Sequence, residues 1–193
     1  MPNPVITRIT RDDLAPPLQA AWDQMTRISG EAVSIEVMAN NPAAMGWYND
    51  RFYGEFFNGG HPGFTLDART KEVLRLRLSK GHGCHVCNTH NEITAKEQGL
   101  TDAQIMGIAF PEPGLFDDKD MAVIDLAAEI DLGNQQGYLS APLYARLRTY
   151  YDDAQIVEMG MLAAFLTGMA KFLFTFDLVT RDATCPIARP EAA

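Results

Sequence analysis

The chain has 193 residues, 47% hydrophobic and 21% charged, with a formal net charge of −9 and a pI near 4.8. That length supports one buried core and about one domain, and the acidic balance speaks against nucleic acid, whose phosphates want a basic patch. No apolar run approaches the ~20 residues of a membrane helix, and MPNPVITRITRDDL lacks the basic-then-apolar pattern of a signal peptide, so a cytoplasmic protein with no membrane partner is expected.

The sequence reads as all-α, one domain over residues 1–193. VITRIT at 5–10 alternates like a strand and suits a short extended arm equally well. A first helix is expected from residue 12 or 13 to about 28, with Pro16 and Pro17 in its first turns and Trp22, Met25 and Ile28 at helical spacing. Pro42 opens a second helix, in which Met45, Trp47, Tyr48, Phe52, Phe56 and Phe57 supply bulk. NGGHPG at 58–63 is a loop. A third helix starts near Asp67. Val73, Leu74, Leu76 and Leu78 form its apolar surface, while Arg69, Lys71, Arg75, Arg77 and Lys80 read as a solvated face. GHG ends it. Residues 84–98 make the next helix, stopped by Gly99. Thr101 and Asp102 cap a short helix through Ile108. Residues 117–132 read as amphipathic, with Met121, Ile124, Ala128 and Leu132 facing inward. LGNQQGYLS is a loop, and a long helix runs from residue 152 or 153 to about 178. TDAQIMGI and DDAQIVEMG look alike, either as a faint duplication or as one capping solution used twice. Residues 181–193 read as a loose tail that holds Cys185.

Of three cysteines and four histidines, five fall within residues 82–90: His82, Cys84, His85, Cys87 and His90. On a helix Cys84 and Cys87 lie one turn apart on one face. Cys84 would sit at the helix N-terminus, where unpaired N–H groups and the dipole stabilise a thiolate. Three cysteines in a cytoplasmic chain do not make a structural disulfide framework, so a close pair points to redox chemistry or metal. Haem attachment wants CxxCH, and Asn88 follows Cys87. A closed zinc site wants a fourth ligand that the motif does not supply. The plainer alternative is two inert, buried cysteines. Among the histidines, His90 follows Cys87 by one turn and is the best-placed proton carrier. His85 can point away from the pair, and His82 is either beside the thiols or at the loop surface. His61, in its Gly/Pro loop, is expected to be exposed.

Residues 67–99 carry more than the cysteines. In ARTKEVLRLRLSKGHGCHVCNTHNEITAKEQGL a glutamate, Glu72, stands 12 positions before Cys84, and a histidine follows the CxxC soon after. The TDAQI helix start comes next, and IVEMGMLAAFLTGMAKFLFTFDL gives a weaker echo near the C-terminus. This pattern resembles the alkylhydroperoxidase D-like, or carboxymuconolactone decarboxylase, family.

The resemblance implies an all-helical, oligomeric protein, a trimer or hexamer, that reduces hydroperoxides through a redox dithiol without a cofactor or metal. It implies Cys87 as the attacking cysteine, Cys84 as the resolving one and Glu72 as the start of a proton relay. An external thiol or dithiol protein would be the reductant. Two features pull against that pattern. The helix-dipole argument favours Cys84 as the more acidic thiol. The family's usual histidine position is Asn91 here, with His90 one residue early, and Val86 replaces another, with His85 displaced by one. One residue on a helix rotates a side chain by ~100°, so His82 could take the relay instead. Without the resemblance, Glu72 reads as a surface partner of Arg69, Lys71 or Arg75; buried, it would suit proton transfer. A lactone decarboxylase that needs no thiol, and a non-catalytic redox sensor or scaffold, are the alternatives.

Overall fold

The computed structural model describes residues 1–183, Cys185 and Pro186, and among these the protein is all-helical with no strand beyond a single bridge between Cys84 and Arg181. After an extended arm and a short turn at Arg11–Asp13, α1 runs Pro16–Ser29, α2 Val33–Met38 and α3 Pro42–Trp47. Pro16 opens α1 rather than sitting inside it, because its missing N–H and fixed φ suit the first helical position. α3 continues into a π-helical segment, Tyr48–Phe57. Then come α4 (Ala68–His82), α5 (His85–Glu97), α6 (Asp102–Gly107), α7 (Asp118–Ile130), α8 (Ala141–Leu147) and α9 (Asp153–Thr175). The sequence reading passes over α2 and α8, which have six and seven residues. Pieces that short hold few apolar residues at helical spacing.

The twin DAQI segments turn out to use one solution twice. Thr101 with Gln104 and Asp152 with Gln155 each form a reciprocal capping box at the start of α6 and α9.

α4 is the centre of the molecule, packed against α5, α7 and α9. Val73, Leu74, Leu76 and Leu78 are buried, each stabilising the fold by roughly 1.5–3 kcal/mol. The expected solvated basic face is largely absent, because α5, α7 and α9 cover most of α4; Arg69 and Lys80 stay partly exposed. Lys71 and Arg75 are buried, and Arg77 is nearly so. Each finds an acid: Lys71 with Glu158 of α9 at 3.1 Å, Arg75 with Glu72 at 2.6 Å, and Arg77 with Asp131 at 3.2 Å. A buried charge left without a partner would cost several kcal/mol. α7 is likewise covered on more than one side. Ile124 faces the core as expected, but the wholly buried positions are Ala122, Val123 and Ala127, with Met121, Ala128 and Leu132 only partly buried.

Among the described residues, α9 alone is long and apolar enough to cross a membrane by length and composition, with a mean hydropathy of 1.5. This corrects the expectation that no run approaches that length. Here α9 packs on α4 and α7, burying Met159, Leu162 and Ala163 completely. The C-terminal stretch is not loose where it is described: Thr180 and Asp182 are tied to the α4–α5 junction by backbone hydrogen bonds. Residues 187–193 of the expected tail lie outside the described residues.

Glu158 also accepts the backbone N–H groups of Thr65 and Leu66, at 2.8 and 3.2 Å, while the Lys71 ammonium donates to the Phe56 carbonyl. Glu158→Ala should therefore lower unfolding free energy by ~3–5 kcal/mol, because it strands the Lys71 charge. Urea denaturation followed by circular dichroism checks this; a midpoint equal to wild type would contradict the buried pair.

Candidate active site

The site forms where α4 stops and α5 starts. Gly83 adopts a left-handed conformation, φ 64°, and its N–H donates to the Ser79 carbonyl. Glycine does this without a Cβ penalty, which ends α4 sharply. Cys84 then turns extended and caps α5, its Sγ accepting the Cys87 N–H at 3.3 Å. A sulfur thus occupies the place where a serine or aspartate oxygen usually caps a helix. Cys84 and Cys87 form a disulfide with Cα atoms 5.2 Å apart, within the ordinary span.

The two sulfurs have different surroundings. Cys84 is 1% exposed. Cys87 is half-buried and lines a cavity of about 390 Å³. α5 presents Cys87, His90, Asn91 and Thr94 to this cavity, positions that share one helix face. α4 contributes Arg75, Leu78, Ser79 and His82, and the π-helical segment contributes Tyr48 and Tyr53. Met25, Met38, Met45 and Met169 make much of the apolar wall. Burial pushes the Tyr48 phenol well above its usual range, so it stays protonated at neutral pH.

The three histidines of the motif separate. His82 is buried at the cavity wall and its Nε2 has no hydrogen-bond partner. Burial pushes its imidazole down to about 4, Asp131 opposing this and the Arg77 charge adding to it. His90 also meets the cavity with an unpartnered Nε2; burial, then the Arg75 charge, lowers it. Both imidazoles are therefore neutral at pH 7. The one-residue shift between His90 and Asn91 does not remove the histidine, since both positions face the cavity. His85 lies elsewhere: its Nε2–H donates to the Ser29 carbonyl at 3.2 Å and its Nδ1 is 3.7 Å from Asp182. His61 is exposed.

Glu72 is buried, and it is not among the residues lining the cavity. Arg75 clamps it through Nη2 at 2.6 Å to both oxygens and Nε at 3.2 Å, and the Thr94 hydroxyl donates to Oε2 at 3.1 Å. Arg75 and Thr94 do line the cavity. Neither was singled out from sequence as a site residue. Thr94 could have been, since it lies two turns after Cys87 on the same face, whereas Arg75 was hidden by the expectation of a solvated basic face. Among the described residues no group of three or more His, Cys, Asp or Glu side chains converges as a metal site.

No family model matches the chain. The uncharacterized protein YdfG of Bacillus subtilis strain 168 is 25% identical over 99 residues, which is 51% of this chain and 67% of YdfG. Among solved structures, the debrominase Bmp8 superposes with a TM-score of 0.66 over 94% of both chains. Its apo form is 18% identical to this chain, and a cysteine-to-alanine variant in complex with 2,3,4-tribromopyrrole is 17% identical. At that identity the likeness establishes a shared helical fold.

His82 gives a pH prediction. Its folded value, about 4, lies below the unfolded value of 6.5, so between those limits the unfolded chain binds the extra proton. Stability should be full above pH 6.5 and fall as the pH drops towards 4. In His82→Gln the fall should be shallower. Urea midpoints at pH 7 and pH 5 measure it; identical pH slopes in the two proteins would contradict a buried neutral imidazole.

Proposed function

We propose that this protein is an alkylhydroperoxidase D-like oxidoreductase that reduces organic hydroperoxides through Cys84 and Cys87, in the cytoplasm and with a thiol or dithiol protein as reductant. One observation carries the reading: of the two sulfurs, Cys87 opens on an apolar cavity with neutral imidazoles beside it, while Cys84 is enclosed behind it. In the reduced protein the Cys87 thiol gives its proton to His90, one turn along α5. The thiolate attacks the terminal peroxide oxygen, the O–O bond breaks, and the alkoxide takes the proton and leaves as an alcohol. Cys84 thiolate then attacks the Cys87 sulfenic acid, expelling hydroxide that leaves as water and closing the disulfide. The external dithiol restores both thiols. Glu72 acts through Arg75 and Thr94, holding both at the cavity wall, rather than by touching substrate. Accessibility supports Cys87 as the attacking sulfur despite the position of Cys84 at the helix end: a thiolate stabilised by the dipole but 1% exposed meets no substrate.

A second reading has its own support in the fold shared with a debrominase whose structure holds a tribromopyrrole. The same dithiol and apolar cavity suit reductive dehalogenation. A Cys87 thiolate would take the halogen from carbon, the carbon would take a proton, and Cys84 would displace halide as the disulfide closes. Bromide release from 2,3,4-tribromopyrrole and alcohol formation from cumene hydroperoxide separate the two. The exposed apolar residues Trp47, Val157 and Met161 support the further proposal of a homo-oligomer, a trimer or hexamer; a monomer by size-exclusion chromatography would count against it.

Cys87→Ser should lower hydroperoxide turnover by about a thousandfold, since the nucleophile is lost. Cys84→Ser should still react once and keep a sulfenic acid on Cys87, seen by dimedone labelling and mass spectrometry. Wild-type hydroperoxide turnover in Cys87→Ser would overturn the proposal.

A further inference from the structure

Residues 180–182 cross the junction that carries the disulfide. The His85 N–H donates to the Thr180 carbonyl at 3.1 Å, Arg181 pairs with Cys84, and the Asp182 N–H donates to the Gly83 carbonyl at 2.8 Å. The Asn88 side chain donates to Asp182 at 2.8 Å. A turn then closes, with the Cys185 N–H on the Asp182 carbonyl at 3.0 Å. This turn brings the third cysteine onto Gly83, the neighbour of Cys84. A Cβ added to Gly83 would lie 2.6, 2.7 and 2.9 Å from the N, Cα and Cβ of Cys185. Only a glycine permits that approach. Cys185 packs in the same apolar cluster as Cys84, Cys87 and Phe174, so all three cysteines of the chain share one small cluster.

Neither sulfur of the disulfide is well placed for a large reductant. Cys84 is 1% exposed and Cys87 opens on the cavity. Cys185 is half-buried, with Ala183 and Pro186 beside it exposed. We infer that Cys185 is a third redox cysteine, which exchanges with the Cys84–Cys87 disulfide and carries reducing equivalents from a surface-docked dithiol protein to the cavity. The inference rests on the dithiol reading above and adds the route by which the pair is reduced.

The exchange balances without any oxidant. The Cys185 thiolate attacks Cys84 Sγ, a Cys84–Cys185 bond forms, the Cys84–Cys87 bond breaks, and Cys87 leaves as a thiolate. The dithiol protein's thiolate then attacks Cys185 Sγ, releasing Cys84, and its second thiol resolves the mixed disulfide. Two electrons pass from the external dithiol to the pair. Neighbouring thiols held in one cluster exchange far faster than thiols meeting in solution, because the encounter is already made.

The test uses the full chain of Cys87→Ser at low micromolar concentration, oxidised with diamide, which needs no peroxidase activity. Tryptic mapping without reduction should join peptide 81–96 to peptide 182–193 within one chain. Cys84 and Cys185 both remaining thiols, or linking only between chains, would overturn the inference. A second variant, Cys185→Ser, keeps the test decisive if the first fails to fold. Its Cys84–Cys87 disulfide should still form on oxidation. Reduction of that disulfide by a thioredoxin-type dithiol protein should slow by about tenfold, while reduction by dithiothreitol stays within about twofold of wild type. Equal rates with the protein reductant would overturn the relay yet leave the dithiol reading standing. A pair that never oxidises would instead remove that reading.

Discussion

The constraint on which the structure depends is the burial of α4 from Thr70 to Leu76, including Lys71, Glu72 and Arg75. A helix with five basic residues and a glutamate can occupy the centre of a small domain only if each buried charge meets an opposite one at short range. That requirement brings Glu158 of α9 to Lys71, Asp131 to Arg77 and Glu72 to Arg75. Each pair also fixes a neighbouring element. Glu158 holds the backbone ahead of α4, and the Glu72–Arg75 pair reaches α5 through Thr94. The apolar residues of α4 are almost wholly buried, and two of the ion pairs reach outside the helix, to Glu158 of α9 and to Asp131 just past α7.

The chemistry is placed by the same helix. Because α4 ends at a left-handed glycine, α5 begins at once, and its cap is a cysteine rather than a serine or aspartate. Three consequences follow from that one substitution of cap chemistry. The capping sulfur is enclosed, its partner one turn on faces the cavity, and the disulfide spans the first turn of α5. Access separates the two sulfurs, because of the pair only Cys87 meets the cavity.

Much of this was legible in the residues. Strong caps and glycine stops marked α4, α5, α6, α7 and α9 to within a few positions. The CxxC spacing, read on a helix, placed both cysteines on one turn. What was illegible has physical causes. Alternation of charged and apolar residues in KEVLRLRLSK is consistent with a half-exposed helix, and nothing local reveals that distant acids, Glu158 and Asp131, arrive to neutralise its charges. The two shortest helices lack the length for a periodic signal. The histidine register was misleading for a similar reason: the cavity spans a wide arc of α5, so a shift of one residue moves the imidazole along the wall and not away from it. The anchoring of Cys185 could not be read locally either, since the close approach at Gly83 is made by residues about 100 positions away in sequence.

The measurement that bears most directly on the central claim is a single-turnover thiol count on the fully reduced wild-type protein. One equivalent of cumene hydroperoxide is added and the disulfide is mapped by mass spectrometry. Reaction through the cavity-facing sulfur predicts that thiols per chain fall from three to one, with one cumyl alcohol formed and a disulfide joining Cys84 to Cys87. Three thiols remaining, with the hydroperoxide unconsumed, would contradict it.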